Sequence, residues 1–153
     1  MKILDIFLGT KKTFKHSVLG VLTSERIKGN NQTKKYSWFG AVNLNNYQKE
    51  TFIVAEGNNN TPSKKHLEYI SEIVTNWNTK YLKQIDQEIK KQKISQKPKF
   101  ENWENDFYLG QITPLDDNKP HFELTLEPIN ENKTDFIGIE IDNNKVTKIE
   151  IYK

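Results

Sequence analysis

The sequence has no cysteine, one arginine and one methionine among its 153 residues. The lack of cysteine excludes disulfides, thiolate metal ligands and cysteine nucleophiles, and it suits a reducing compartment. No window approaches the ~18 apolar residues that a membrane-spanning helix needs, and the mean hydropathy is −0.79. The N-terminal stretch around Asp5 is a poor match to a secretory signal. We therefore expect a cytoplasmic protein that does not act at a membrane.

Catalytic and cofactor motifs are missing as well. The seven glycines are scattered and form no phosphate-binding loop. His16, His66 and His121 show no metal-ligand spacing, and no serine lies in a nucleophile-elbow motif. We therefore predict no catalytic residues, no metal and no cofactor, and we expect that the protein is not an enzyme.

The charge is unevenly distributed along the chain, although the formal net charge is only +3. Residues 1–100 contain 18 Lys and Arg against 8 Asp and Glu, a net of +10, whereas residues 101–153 contain 5 against 12, a net of −7. Such asymmetry favours association with a charged partner. Nucleic acid is not the expected partner, because arginine makes most of the specific base contacts and the only arginine is Arg26.

Residues 62–93 have the clearest periodicity in the chain. Thr61 and Pro62 match an N-cap and the first helical position. Apolar residues then recur at steps of three and four, which predicts one long amphipathic helix packed on a sheet. That apolar stripe comprises Leu67, Ile70, Val74, Trp77, Tyr81, Ile85 and Ile89.

Strand-like segments lie on both sides of this helix and predict two antiparallel meanders. The first meander comprises residues 17–26, 36–44 and 50–56, and the second comprises 106–115, 121–127, 134–142 and 145–152. Asn143 and Asn144 predict a tight hairpin between the last two strands. The expected fold is α+β in a single domain, residues 1–153, with β-rich halves at 15–57 and 106–152. The two meanders form either one continuous sheet or two packed sheets.

The two halves also resemble each other in sequence. Residues 19–23 match residues 109–113 at an offset of 90, and Trp38 matches Phe122 at an offset of 84. Phe52 and Ile53 match Phe136 and Ile137 at that second offset. The order of the matches agrees with an internal duplication, although short apolar strands also converge by chance.

An acidic stretch surrounds the start of the second half. The aromatic residue within it, Trp103, is either an anchor for a partner or a side chain that closes the edge of the core. We take this stretch as the candidate partner-binding surface, and a solvated acidic rim is the simpler alternative. The candidate residues are Glu101, Trp103, Glu104, Asp106, Asp116 and Asp117.

Three short segments carry a family resemblance: Leu19-Gly20, Trp38-Phe39-Gly40 and residues 135–140, Asp-Phe-Ile-Gly-Ile-Glu. With the order meander, helix, meander, they resemble small uncharacterised bacterial domains, some of which are immunity proteins encoded beside polymorphic toxins. The resemblance implies a non-enzymatic domain that binds one protein partner, a cognate toxin, and occludes it. It implies no particular functional residues.

Two other functions remain open from the sequence. One is a small hydrolase or ligand-binding enzyme with a cleft between the two halves, in which His16 and His121 act with nearby carboxylates. The other is a structural subunit that oligomerises through an exposed sheet edge.

Overall fold

The computed structural model describes residues 11–26, 36–44, 49–116 and 119–153. In chain order the strands are β1 (Thr13–His16), β2 (Gly20–Arg26), β3 (Tyr36–Val42), β4 (Thr51–Gly57), β5 (Phe107–Pro114), β6 (His121–Pro128), β7 (Phe136–Asp142) and β8 (Lys145–Tyr152). The helices are α1 (Lys64–Thr75), a π-helical turn (Trp77–Tyr81), α2 (Leu82–Lys91), two 3₁₀ turns (Ile94–Gln96 and Pro98–Phe100) and α3 (Trp103–Asp106).

All eight strands form one sheet, in which they follow the order β1 to β8. Every neighbouring pair is antiparallel except β4 and β5, which run parallel with Phe52 opposite Gln111 and Ile53 opposite Ile112. The predicted α+β fold with two meanders is therefore confirmed, and the two halves share one sheet. The predicted first strand differs, because residues 17–19 form a turn that separates β1 from β2.

The turn between β7 and β8 is the predicted two-residue hairpin. Asn143 and Asn144 have φ angles of 48° and 64°. Two consecutive positive φ values are the mark of a type I′ turn, which asparagine tolerates better than most residues. Asp142 and Lys145 face each other across the turn and begin the β7–β8 ladder.

The predicted start of the helix was wrong by two residues. Pro62 forms a β-bridge with Gly57 at the end of β4, so its backbone belongs to the sheet. Ser63 is the N-cap instead, and its hydroxyl oxygen accepts a hydrogen bond from the N–H of His66 at 3.4 Å. The helical segment therefore begins at Lys64.

The helical segment is also interrupted, where the sequence predicted one continuous helix. Helix α1 ends at Thr75 with Asn76 as its C-cap, and the π-helical turn follows before α2 begins. From Trp77 to Tyr81 and Ile85 the apolar stripe advances in steps of four, and each such step drifts by about 40° around an ideal α-helix. A π-helical turn contains more residues per turn than an α-helix, so a step of four residues drifts less around the axis. Trp77 and Tyr81 therefore both stay buried.

The side chain of Glu72 braces this interruption. Its carboxylate accepts hydrogen bonds from the hydroxyl of Tyr81 and, at 2.6 Å, from the ammonium of Lys80. Its backbone oxygen accepts from the Asn76 N–H at 3.0 Å. Burial and the bond to Glu72 raise the pKa of Tyr81 far above its usual range. Glu72 thus ties α1 to the residues beyond the break.

The core lies between the helical segment and one face of the sheet. Alternate residues on β2 to β8 point inward, and the stripe of the helical segment covers them. The residues matched between the two halves occupy equivalent inward positions, since Trp38 and Phe122 are both buried, as are Ile53 and Ile137. Gly110 lies at a bulge in β5, between Leu109 and Gln111. No helix of the described residues is both long and apolar enough to cross a membrane.

His66 is fully buried at the junction between α1 and the sheet. Its Nδ1 accepts a hydrogen bond from the N–H of Glu56 at 3.2 Å, and its Nε2 lies 3.1 Å from the carbonyl oxygen of Asp116. Because Nδ1 must be the acceptor, Nε2 carries the proton and donates to Asp116. The ring also packs edge-on against Phe122, with centroids 5.5 Å apart.

We predict that His66→Ala lowers the free energy of unfolding by about 2–4 kcal/mol, because it leaves a cavity and two unsatisfied backbone groups. Urea denaturation measures the change. Glu68→Ala is the matched control: Glu68 is exposed on the same helix and its ion pair with Lys64 is long, at 3.8 Å, so we expect a change within about 0.5 kcal/mol. Equal unfolding midpoints for the two variants would contradict the structural role of His66.

Candidate functional site

Four of the six predicted partner-binding residues lie together before β5. Glu101, Glu104 and Asp106 are on or next to α3, and Glu101 and Glu104 are exposed. Asp106 pairs with Lys133 at 3.1 Å. The fourth, Trp103, is only 4% exposed and packs in the core. Its indole is therefore part of the core.

The other two predicted residues lie elsewhere. Asp116 follows β5, whose eight residues separate it from Asp106 by about 25 Å at the usual rise of 3.3 Å per residue. Asp117 lies outside the described residues. The fold therefore brings Glu101, Trp103, Glu104 and Asp106 into one cluster and places Asp116 at the opposite end of the strand.

Two cavities adjoin the cluster before β5. One has a volume of about 460 Å³ and the other about 230 Å³, and Trp103 and Glu104 line both. Glu101 lines only the smaller one. A third cavity, of about 280 Å³, is lined by Lys99 and Asp135, whose side chains pair at 2.7 Å.

Asp116 belongs to a histidine–carboxylate group. His121 donates from Nδ1 to the Asp116 carboxylate at 2.9 Å, and its Nε2 lies 3.7 Å from the carboxylate of Glu140. His16 is not part of this group, because it lies on β1, five strands away in the sheet. Its Nδ1 accepts from the N–H groups of Val18 and Leu19. The three cavities described above contain no histidine.

The outward side of the second meander carries glutamates that the sequence-based prediction did not select. We call Glu123, Glu127, Glu140 and Glu150 the acidic face. They alternate with inward apolar residues on β6, β7 and β8, and all are partly exposed. The alternation of polar with apolar residues, in which glutamate recurs at the polar positions, is the sequence signal that could have identified them.

Two members of the acidic face oppose each other directly. Glu123 on β6 is the register partner of Glu140 on β7. Like charges placed directly opposite each other in a sheet are destabilising. Lys148 relieves part of the repulsion, because its ammonium lies 3.5 Å from Glu140 and 2.9 Å from Glu150. Four carboxylates and this one lysine leave the acidic face with a net charge of −3.

Two tyrosines complete the acidic face. The hydroxyl of Tyr108 donates to Glu127 at 2.8 Å, and that of Tyr152 lies 3.4 Å from Glu123 and 3.3 Å from Glu150. The Tyr152 ring lies over Gly138, where a Cβ atom would collide with it. Burial, followed by the bond to Glu127, raises the pKa of Tyr108 to about 12.

The first meander presents a different outward surface. Phe39 and Phe52 stack with centroids 5.6 Å apart, and Phe52 is 43% exposed. The sheet therefore turns an apolar patch outward on one half and an acidic face on the other. Among the residues that the structure describes, no group of three or more histidine, aspartate or glutamate side chains is arranged to hold a metal ion.

Comparison with protein families, with curated proteins and with solved structures finds no match to this chain. The resemblance to immunity proteins therefore stays a prediction from the sequence.

The Tyr108 phenol generates a prediction about pH. The unfolded chain ionises this group near pH 10, whereas the folded protein keeps it neutral to about pH 12. Stability should therefore fall as the pH rises from 10 to 12, because the unfolded state then binds fewer protons. Tyr108→Phe removes this contribution, so urea midpoints measured across the range should decline less steeply than in the parent. Tyr69→Phe controls for the loss of a phenol elsewhere, and equal slopes for Tyr108→Phe and the parent would contradict the prediction.

Proposed function

We propose that this chain is a non-enzymatic, cytoplasmic binding domain whose acidic face recognises a basic surface on a protein partner. The role we assign to it is that of an immunity protein, which neutralises a cognate bacterial toxin by occluding it. The support is physical: an acidic surface, half-exposed tyrosines within it, and charges arranged at a cost to the fold.

The observation that carries this proposal is the pairing of Glu123 with Glu140. Complementary cross-strand pairs stabilise a sheet, whereas two glutamates that face each other destabilise it. The nearby lysine, Lys148, lies closer to Glu150 than to Glu140. A basic partner that covered this pair would turn the repulsion into attraction on both sides.

The distribution of charge between the two layers favours one orientation of approach. The helical layer, residues 62–100, contains nine lysines and four acidic residues, a net of +5. The acidic face lies on the other side of the sheet from that layer. Such a separation orients a charged partner before contact and raises the association rate at low salt.

The two alternative functions receive less support. A hydrolase needs a histidine and a carboxylate converging in a pocket, whereas His121 and Asp116 lie outside the three described cavities. Oligomerisation through the β8 edge is opposed by Gln84, whose side-chain oxygen accepts from the Val146 N–H at 3.0 Å. Lys145 and Lys148 add charge to that strand, which also opposes strand addition.

Removing one charge of the opposed pair should stabilise the free protein. We predict that Glu123→Gln raises the free energy of unfolding by about 0.2–1 kcal/mol, because it ends the repulsion and still offers an acceptor to Tyr152. Urea denaturation at low salt measures the gain, which should shrink in 0.5 M salt. The control Glu68→Gln, on the exposed side of α1, should show no gain. A loss of stability in Glu123→Gln would show that repulsion between Glu123 and Glu140 does not destabilise the free protein.

The partner can be sought with the genes that flank this one. Each neighbouring reading frame is co-expressed with this chain, and rescue of growth and co-elution in size-exclusion chromatography are measured. We expect one neighbour to be toxic alone and to form a stable complex with this chain. The absence of both rescue and complex for every neighbour would overturn the immunity role.

Once a complex has been found, association kinetics of surface variants identify which surface of this chain binds the partner. The double variant Glu123→Lys/Glu140→Lys should slow association by about tenfold at low salt and flatten its salt dependence. Glu104→Lys/Asp106→Lys tests the loop cluster before β5, and Glu68→Lys on the helical layer is the control. Slower association in the loop variant alone would assign the partner to the loop and overturn the acidic face as the binding surface.

A further inference from the structure

The 460 Å³ cavity lies where the π-helical turn, α3 and the start of β5 meet. Its size falls within the range of pockets that bind small molecules. Most of its described lining residues are aromatic or aliphatic, and one of them is charged. The lining residues are Leu44, Trp77, Asn78, Leu82, Trp103, Glu104, Phe107, Tyr108, Leu109 and Leu126.

The floor and the rim of the cavity differ in character. Trp77, Trp103 and Phe107 are buried and form an aromatic floor. Asn78 and Glu104 are exposed and stand at the rim. A ligand would therefore place an apolar body on the floor and a polar group at the mouth.

The π-helical turn contributes directly to the cavity. Trp77 and Asn78 belong to this turn, and Leu82 follows it. Single π-helical turns are rare and occur frequently at functional sites, because the extra residue re-aims neighbouring side chains. Glu72 holds the turn through its bonds to Lys80 and Tyr81. The cavity wall is therefore braced before any ligand arrives.

The charges around the cavity favour a cation. Among the lining residues that the structure describes, Glu104 alone carries a charge. Two lysines near the lining are already paired, Lys90 with Asp86 at 2.6 Å and Lys49 with Glu131 at 2.9 Å. The Lys49 ammonium also lies over the ring of Tyr108, 5.7 Å from its centroid, so the tryptophan rings are the faces left for a ligand. The faces of tryptophan and tyrosine rings also attract cations, particularly alkylated ammonium groups. An anionic ligand would meet Glu104 with no cationic lining residue to offset it.

From these observations we infer that the cavity binds a small organic cation, an ammonium group with an apolar or aromatic body. The body rests on Trp77 and Trp103, and the ammonium group lies beside Glu104. None of the four glutamates of the acidic face lines the cavity. Tyr108, whose hydroxyl donates to Glu127, is the residue that the two sites share. The chain thereby gains a ligand-binding function separate from its proposed partner.

The test uses phenyltrimethylammonium and its uncharged isostere, tert-butylbenzene. Two of the three tryptophans line the cavity, so tryptophan fluorescence reports binding, and calorimetry checks the stoichiometry. We expect saturable one-to-one binding of the cation, with the isostere at least about fivefold weaker. Glu104→Gln should weaken the cation by about three- to fivefold and leave the isostere unchanged.

Glu101→Gln is the matched control, because Glu101 is an exposed carboxylate three residues away that does not line this cavity. It should bind the cation as the parent does. Asn78→Trp places a bulky side chain at the rim and should weaken both probes. Equal binding of both probes would overturn the cation as the ligand class, and so would equal losses in Glu101→Gln and Glu104→Gln. The absence of saturable binding by either probe, or binding unaffected by Asn78→Trp, would overturn the site.

Discussion

The parallel pairing of β4 with β5 is the constraint on which the rest of the structure depends. Only two residue pairs define it, yet it joins two antiparallel meanders into one sheet. Parallel neighbours require a long crossover between them, and the chain from Lys64 to Asp106 supplies it. Because the crossover lies over both halves, one apolar stripe covers inward residues from the two meanders. Trp38 and Phe122 belong to a single core for this reason.

The same crossover separates the charges of the molecule by layer. Its lysines stay in water on the outside of the helical segment, while the glutamates of β6 to β8 face outward on the other side of the sheet. Among the described residues, the lysine-rich helical layer and the glutamates of the acidic face therefore lie on opposite sides of the sheet. Glu123 and Glu140 of the acidic face are register partners on β6 and β7, an arrangement of like charges that is destabilising in a sheet.

Local irregularities coincide with the places to which we assign function. The π-helical turn lies at the wall of the largest described cavity, and the bulge at Gly110 follows two other lining residues, Tyr108 and Leu109. Each irregularity breaks a regular ladder of hydrogen bonds, and each is held by neighbouring side chains. At the π turn, the Glu72 carboxylate accepts hydrogen bonds from the side chains of Lys80 and Tyr81. The cavity is therefore a product of packing between elements, and no single element contains it.

Patterns that are local in sequence determined the α+β class, the amphipathic helical stripe and the hairpin at Asn143 and Asn144, because each depends on neighbours within about one turn or one strand. Pairings between distant residues were decided only by the tertiary structure. The bridge that draws Pro62 out of the helix needs Gly57 of β4. The separation of Asp116 from Asp106 depends on β5 being extended, and the cavity depends on the meeting of the π turn with Trp103 and Phe107. Even the repulsion at Glu123 requires the register of β6 against β7, because it exists only when Glu140 lies opposite.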